Sequence, residues 1–156
     1  MNFVVIGTDH RFQTSDPGFD ALVRSWAGAR YVVPLSAIAE EYHEAIGISS
    51  IGKRVAQELG LEWFNVDMSA EERERAGILT DQLRRPISTD AVAIRVPSDT
   101  IREDTWVSRL TSVDRGTVIL ICGYLHYDHL AQRLRAEGHT VDRRVYLETV
   151  PEIRFR

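Results

Sequence analysis

A single cysteine, Cys122, in 156 residues excludes an internal disulfide and any zinc site built on several thiolates. No apolar run approaches the roughly 18 residues of a membrane span, and the first residues lead straight into a strand-like run, with no basic leader and cleavage site. A cytoplasmic protein is therefore expected. The net charge of −4 offers no general attraction to nucleic acid or to an anionic membrane. Gly-x-Ser-x-Gly is absent, as are the glycine-rich loops that cradle mononucleotide or dinucleotide phosphates. What remains is a chain that is 44% hydrophobic and 27% charged with five prolines, an ordinary globular balance. Its length suits one α/β domain over residues 1–156, which buries roughly 70% of the unfolded surface. Nothing in the composition excludes assembly into a homo-oligomer.

Apolar runs and helical periodicities alternate along the chain. Phe3–Ile6 reads as a strand covered on both faces. A helix capped by Asp16 with Pro17 in its first turn follows, stopping near Gly28. Ala37–Ala39 is the next strand, ending at Glu40-Glu41, and Ser50–Leu59 is a helix closed by Gly60. Leu61–Val66 forms the third strand, with Asp67 directly after it. Ser69 and Glu72 have capping-box spacing for a charged helix. Residues 77–99 read as a loop with one short element, Ala91–Val96, either a lid or an undetected helix. A helix is expected over Asp99–Leu110, the most buried strand over Thr117–Cys122, a helix over Tyr127–Glu137 and an edge strand over Thr140–Tyr146. Repeated strand–helix units predict an α/β fold: a central, mainly parallel sheet of about five strands with helices on both faces.

Ligands of open α/β sheets bind beyond the carboxyl ends of the strands. At that edge the first strand delivers Gly7-Thr8-Asp9-His10 and the second Glu40, Glu41 and, a turn later, His43. The third delivers Asp67, and the last long strand Gly123, His126, Asp128 and His129. Four of the five histidines thus follow strands. Imidazole and carboxylate together form a divalent-metal site, or, without metal, a general acid–base set. A glycine three residues before His10 and before His126 lets the chain turn sharply and lets a ligand approach the backbone. Arg102-Glu103 is either an exposed pair or, through Arg102, an anion clamp. Cys122 is a buried small hydrophobe.

Gly7-Thr8-Asp9-His10, Glu40-Glu41, Arg102-Glu103 and Cys122-Gly123-Tyr124-Leu125-His126 together resemble, in type and order, the TraB/Tiki-like proteins. Those belong to a group that also holds erythromycin esterases and ChaN-like haem-binding proteins. The resemblance implies a hydrolytic centre, divalent-metal-dependent or driven by histidine and glutamate alone. It would be formed by His10, His126 and one or both of Glu40 and Glu41, with Arg102 touching substrate or a neighbouring site residue. A metal would be held by His10, Glu40, Glu41 and His126; the resemblance does not carry over a substrate, and the charge balance, which suggests no polymer of phosphates, points to a small or peptide-like one. The alternative is a binding protein of the same fold that holds a metal, haem or anionic ligand without turnover.

Overall fold

Strand β1 (Asn2–Thr8) lies between β4 (Thr117–Gly123) and β5 (Thr140–Tyr146), and β2 (Leu35–Glu40) lies between β4 and β3 (Glu62–Asn65). The computed structural model describes residues 1–43, 47–83, 95–113 and 116–147, with the side chains of 81–83 excepted. All four pairings are parallel, giving the order β3-β2-β4-β1-β5. The expected mainly parallel sheet is thus wholly parallel. Parallel strands need both faces covered. Helices α1 (Pro17–Ala27) and α2 (Ile51–Leu59) cover one face, packing Phe19, Val23, Ile51 and Val55 on Val4, Ile6, Ile38, Ile119 and Ile121. Helices α5 (Pro97–Ser112) and α6 (Tyr124–Ala136) cover the other, packing Trp106, Leu110, Leu130 and Leu134 on Phe3, Val5, Ala39, Val118 and Leu120. Every residue of β4 is buried, as expected for the middle strand.

Local chemistry sets most boundaries. Asp16 caps α1 by accepting from the Phe19 amide, and Ser50 caps α2 by accepting from Lys53. Gly60 ends α2 in the left-handed conformation that glycine adopts at low cost. Helix α3 (Ala70–Arg75) carries the reciprocal Ser69/Glu72 capping box.

Three boundaries differ from expectation. Residues 77–83 are not loop: Gly77, at φ 72°, turns the chain from α3 into α4 (Ile78–Leu83), which is anchored by the buried Ile78. Most of the element expected at Ala91–Val96 lies outside the described residues, and α5 begins at Pro97 rather than Asp99. Helix α6 starts at Tyr124, directly on β4, instead of at Tyr127. His126 therefore belongs to the first turn of a helix, not to a loop. Among the described residues no helix is long and apolar enough to cross a membrane.

Candidate functional site

The in-register pairing of Gly7 with Cys122 and of Thr8 with Gly123 makes the two Gly-x-x-His strands immediate neighbours. Their histidines consequently leave the sheet at the same edge. His10 opens a 3-10 turn capped by Asp9, and His126 projects from the first turn of α6. Neither glycine supplies a left-handed turn; the positive-φ glycines are Gly47, Gly60, Gly77, Gly116 and Gly138. Both are needed for space instead. A Cβ on Gly123 would stand 3.0 Å from His10 Nε2 and 3.1 Å from Glu41 Oε2, and one on Gly7 would stand 2.8 Å from the Tyr127 ring.

Glu41, just past β2, is the centre of the cluster. Its backbone N–H continues the ladder by donating to Ile121 O at 2.8 Å. Its side chain is 1% exposed. Oε2 accepts from the Gly123 amide at 2.7 Å, and Oε1 accepts from Arg102 Nη2 at 2.7 Å. His10 Nε2 and His126 Nε2 lie 3.5 and 3.8 Å from that same Oε1. The far nitrogen of each ring is held by another side chain. His10 Nδ1 donates to Gln13 Oε1 at 2.7 Å, and His126 Nδ1 donates to Glu103 Oε1 at 2.8 Å. Gln13 in turn donates to the Glu41 carbonyl, and Arg95 grips both Glu103 oxygens at 2.7 and 2.9 Å. Such acceptors on Nδ1 fix the tautomer and aim Nε2.

Asp67 ties the third strand to this cluster. It accepts from Arg102 Nε and Nη2 at 3.0 Å each, from Trp106 Nε1 at 3.1 Å and from Arg73 Nη1 at 3.0 Å. His43 Nδ1 lies 3.7 Å from Asp67 Oδ2, and its ring centroid is 5.1 Å from that of His10. His43 and His10 are 51% and 41% exposed, whereas His126 is 4% exposed, so only the first two meet solvent freely.

The electrostatics follow from this wiring. Burial would raise the Glu41 carboxyl, but the His10 hydrogen bond and the charges of His126, His10 and Arg102 outweigh it and hold the group far below the usual range. Burial lowers His10, yet its bonds and charge interaction with Glu41 and its bond with Gln13 prevail and push it up to about 9. His43 moves the other way: burial lowers it, and the attraction of Glu41 and Asp67 does not compensate. Glu103 stays low because the bonds from His126 and Arg95 overcome burial.

Of the residues expected here, His10, Glu41, His126 and Arg102 meet. Glu40 does not. Successive strand side chains face opposite ways, so Glu40 points to the α2 side, where Ser50 Oγ and Trp63 Nε1 donate to its Oε2. Gly52 leaves room for it, since a Cβ there would lie 2.5 Å from the Glu40 carboxyl carbon. Burial raises the Glu40 carboxyl despite these donors. Arg102-Glu103 is not an exposed pair: both side chains are buried, and the Arg102 guanidinium, 5% exposed, bonds the carboxylates of Glu41 and Asp67. Asp128 pairs with Arg143 on the surface, and His129 is exposed. Gln13, Glu103 and Trp106 are the site residues that sequence reasoning missed. Glu103 had a signal, its place beside Arg102 on a helix; Gln13 and Trp106 had none.

His10, Glu41 and His43 each offer a ligand atom within 4.8 Å of the others, the spacing of a metal-binding triad. Arg102 Nη2, 2.7 Å from Glu41 Oε1, already supplies positive charge there. Comparison with protein-family models, curated proteins and solved structures gave no match to this chain.

Proposed function

We propose that this protein is a hydrolase of small or peptide-like substrates, centred on His10, His43 and Glu41 at the carboxyl edge of the sheet. The observation that carries the reading is the convergence of three imidazoles from three distant segments on one buried carboxylate. Two of those imidazoles are half-exposed and adjacent. Their environments push them in opposite directions, which separates an acid from a base. Neutral His43 accepts a proton from the attacking water, and protonated His10 gives one to the leaving group. One water is consumed, and each ring returns to its starting state by exchanging a proton with solvent. Arg102 acts through Glu41 and Asp67 rather than on substrate. The TraB/Tiki-like motif order supports the same class of chemistry.

The triad spacing favours a second reading, in which a divalent cation is held by His10, His43 and Glu41. Such a cation would lower the pKa of a bound water toward neutrality. The half-exposed rings leave room for that water, while the Arg102 guanidinium on Glu41 Oε1 opposes a second positive charge.

Ester, amide and phosphoester probes, presented to purified protein before and after chelation and after Mn²⁺ or Zn²⁺ is restored, test both readings. Turnover that survives chelation and falls by ~10²-fold or more in His10→Gln and His43→Gln supports the acid–base form. Turnover lost on chelation and restored by metal selects the cation form. An inert protein under every condition refutes the hydrolase, and cation or haem binding in that protein leaves a ligand-holding role.

A further inference from the structure

Beside His43 the sheet edge opens into a cleft of about 540 Å3, lined among others by Asn65, Asp67, Glu72, Arg73 and Arg109. What the cleft shows to solvent differs from what it contains. Asp67 is 1% exposed and lies beneath its donors, whereas Arg73 and Arg109 are 17% and 31% exposed. Glu72 is 36% exposed and is already paired with Arg109. The accessible surface of the cleft therefore offers guanidinium, imidazole and the Arg109-paired carboxylate of Glu72, with the carboxylate of Asp67 hidden.

Arg73 is under-used. It gives Asp67 one hydrogen bond, through Nη1, and its buried Nε has no partner among the described residues. Arg102 shows how this protein employs the same edge of a guanidinium: its Nε and Nη2 together grip Asp67 as a fork. Asp67 can release Arg73 cheaply, because Arg102, Trp106 and the Met68 amide continue to donate to it.

We infer that the cleft binds a carboxylate through Arg73, so that the substrate class of the proposed hydrolase is a carboxylate-bearing amide or ester such as a short peptide with a free C-terminus. Turned away from Asp67, Arg73 presents its otherwise buried Nε beside an Nη as a planar donor fork that matches the two oxygens of a carboxylate. Released from Asp67, Arg73 offers one positive charge, while Glu72 offsets Arg109, which suits a monoanion rather than a dianionic phosphate. His43 lines the same cleft, so a molecule anchored at Arg73 extends alongside the imidazole. The substrate assignment rests on the hydrolase reading; the carboxylate site does not.

The test is a binding titration of the full chain with N-acetyl-alanyl-alanine and with its C-terminal amide, read by calorimetry and by the His43 imidazole resonances. The free carboxylate should bind ~10- to 100-fold tighter than the amide, the range of a hydrogen bond to a charged group. Arg73→Gln should abolish that preference and Arg73→Lys should retain only part of it, the lysine variant preserving a cation beside Asp67 if the glutamine variant fails to fold. Equal affinity for acid and amide, an unchanged preference in Arg73→Gln or Arg73→Lys, or tighter binding of inorganic phosphate than of acetate would overturn the inference. Carboxylate preference in a protein that hydrolyses nothing keeps this site and removes the hydrolase; turnover without that preference does the reverse.

Discussion

Replacing Arg102 by methionine keeps an unbranched side chain but removes one guanidinium from two buried carboxylates and from the Trp106 ring, which it overlies at 4.9 Å. The lost bonds are those to Glu41 at 2.7 Å and to Asp67 at 3.0 Å twice. Asp67 keeps Arg73, Trp106 and the Met68 amide, but Glu41 loses the one arginine that bonds it among the described residues and retains the Gly123 amide and the two imidazoles. Breaking one side of a buried ion pair costs about 3–5 kcal/mol, because the remaining charge stays desolvated. Total stabilities run to about 5–15 kcal/mol, so the variant should fold with a thin margin. At roughly 2–4 °C per kcal/mol for a chain of this size, Tm should fall by about 6–20 °C. Urea unfolding monitored by tryptophan fluorescence measures the loss directly. Without Arg102, the two imidazoles still hold the Glu41 carboxyl below its unfolded value, though less far, and the contribution that Arg102 makes through a lowered carboxyl is present above the unfolded pKa and lost as pH falls. The deficit should therefore narrow as pH falls and widen as it rises. Arg102→Lys, which keeps the charge and loses the fork, should recover part of the loss. A deficit below about 1 kcal/mol in Arg102→Met, or one independent of pH, would show that the guanidinium does not hold these carboxylates, the threshold being the value of an exposed pair.

His10 makes a second measurement possible. Its pKa is raised in the folded state to about 9, so its contribution to stability is complete below the unfolded value of about 6.5 and disappears as pH rises through about 9. Because the ring is 41% exposed, solvent screening reduces that contribution to about 1 kcal/mol. In Glu41→Gln the imidazole resonances of His10 should titrate back toward ~6.5; titration still near 9 would mean that Glu41 is not the cause. Gly123→Ala places a methyl group 3.0 Å from His10 Nε2 and 3.1 Å from Glu41 Oε2. It should destabilise by about 1–3 kcal/mol as an overpacked position and shift the His10 titration, and a neutral or stabilising result would refute the tight packing at this strand end.

Much of the architecture was legible because its causes are local. Unbroken apolar runs such as Val118–Ile121, caps such as Asp16, Ser50 and Ser69, and the stop at Gly60 act within a few residues, and together they call for a parallel sheet with covered faces. The same reading found His10, Glu41 and His126, since the edge beyond the strands is where unused polar groups gather. It erred where a side chain's direction or a helix's first turn depended on neighbours. Glu40 and Glu41 are equivalent as letters, yet the pleat sends one toward Ser50 and Trp63 and the other toward His10 and Arg102. Helix α4 was hidden because its short, weakly apolar span is held by tertiary burial of Ile78. The partnership of Arg102 with Glu41 and Asp67, and of Glu103 with His126, joins residues 61, 35 and 23 positions apart. Local propensity acts over one turn or one strand, whereas pairing charges across such separations requires the sheet order itself. The sequence by itself determined which elements form and which edge collects the polar groups; the packed tertiary structure decided which of those groups share a proton, a charge or a cleft.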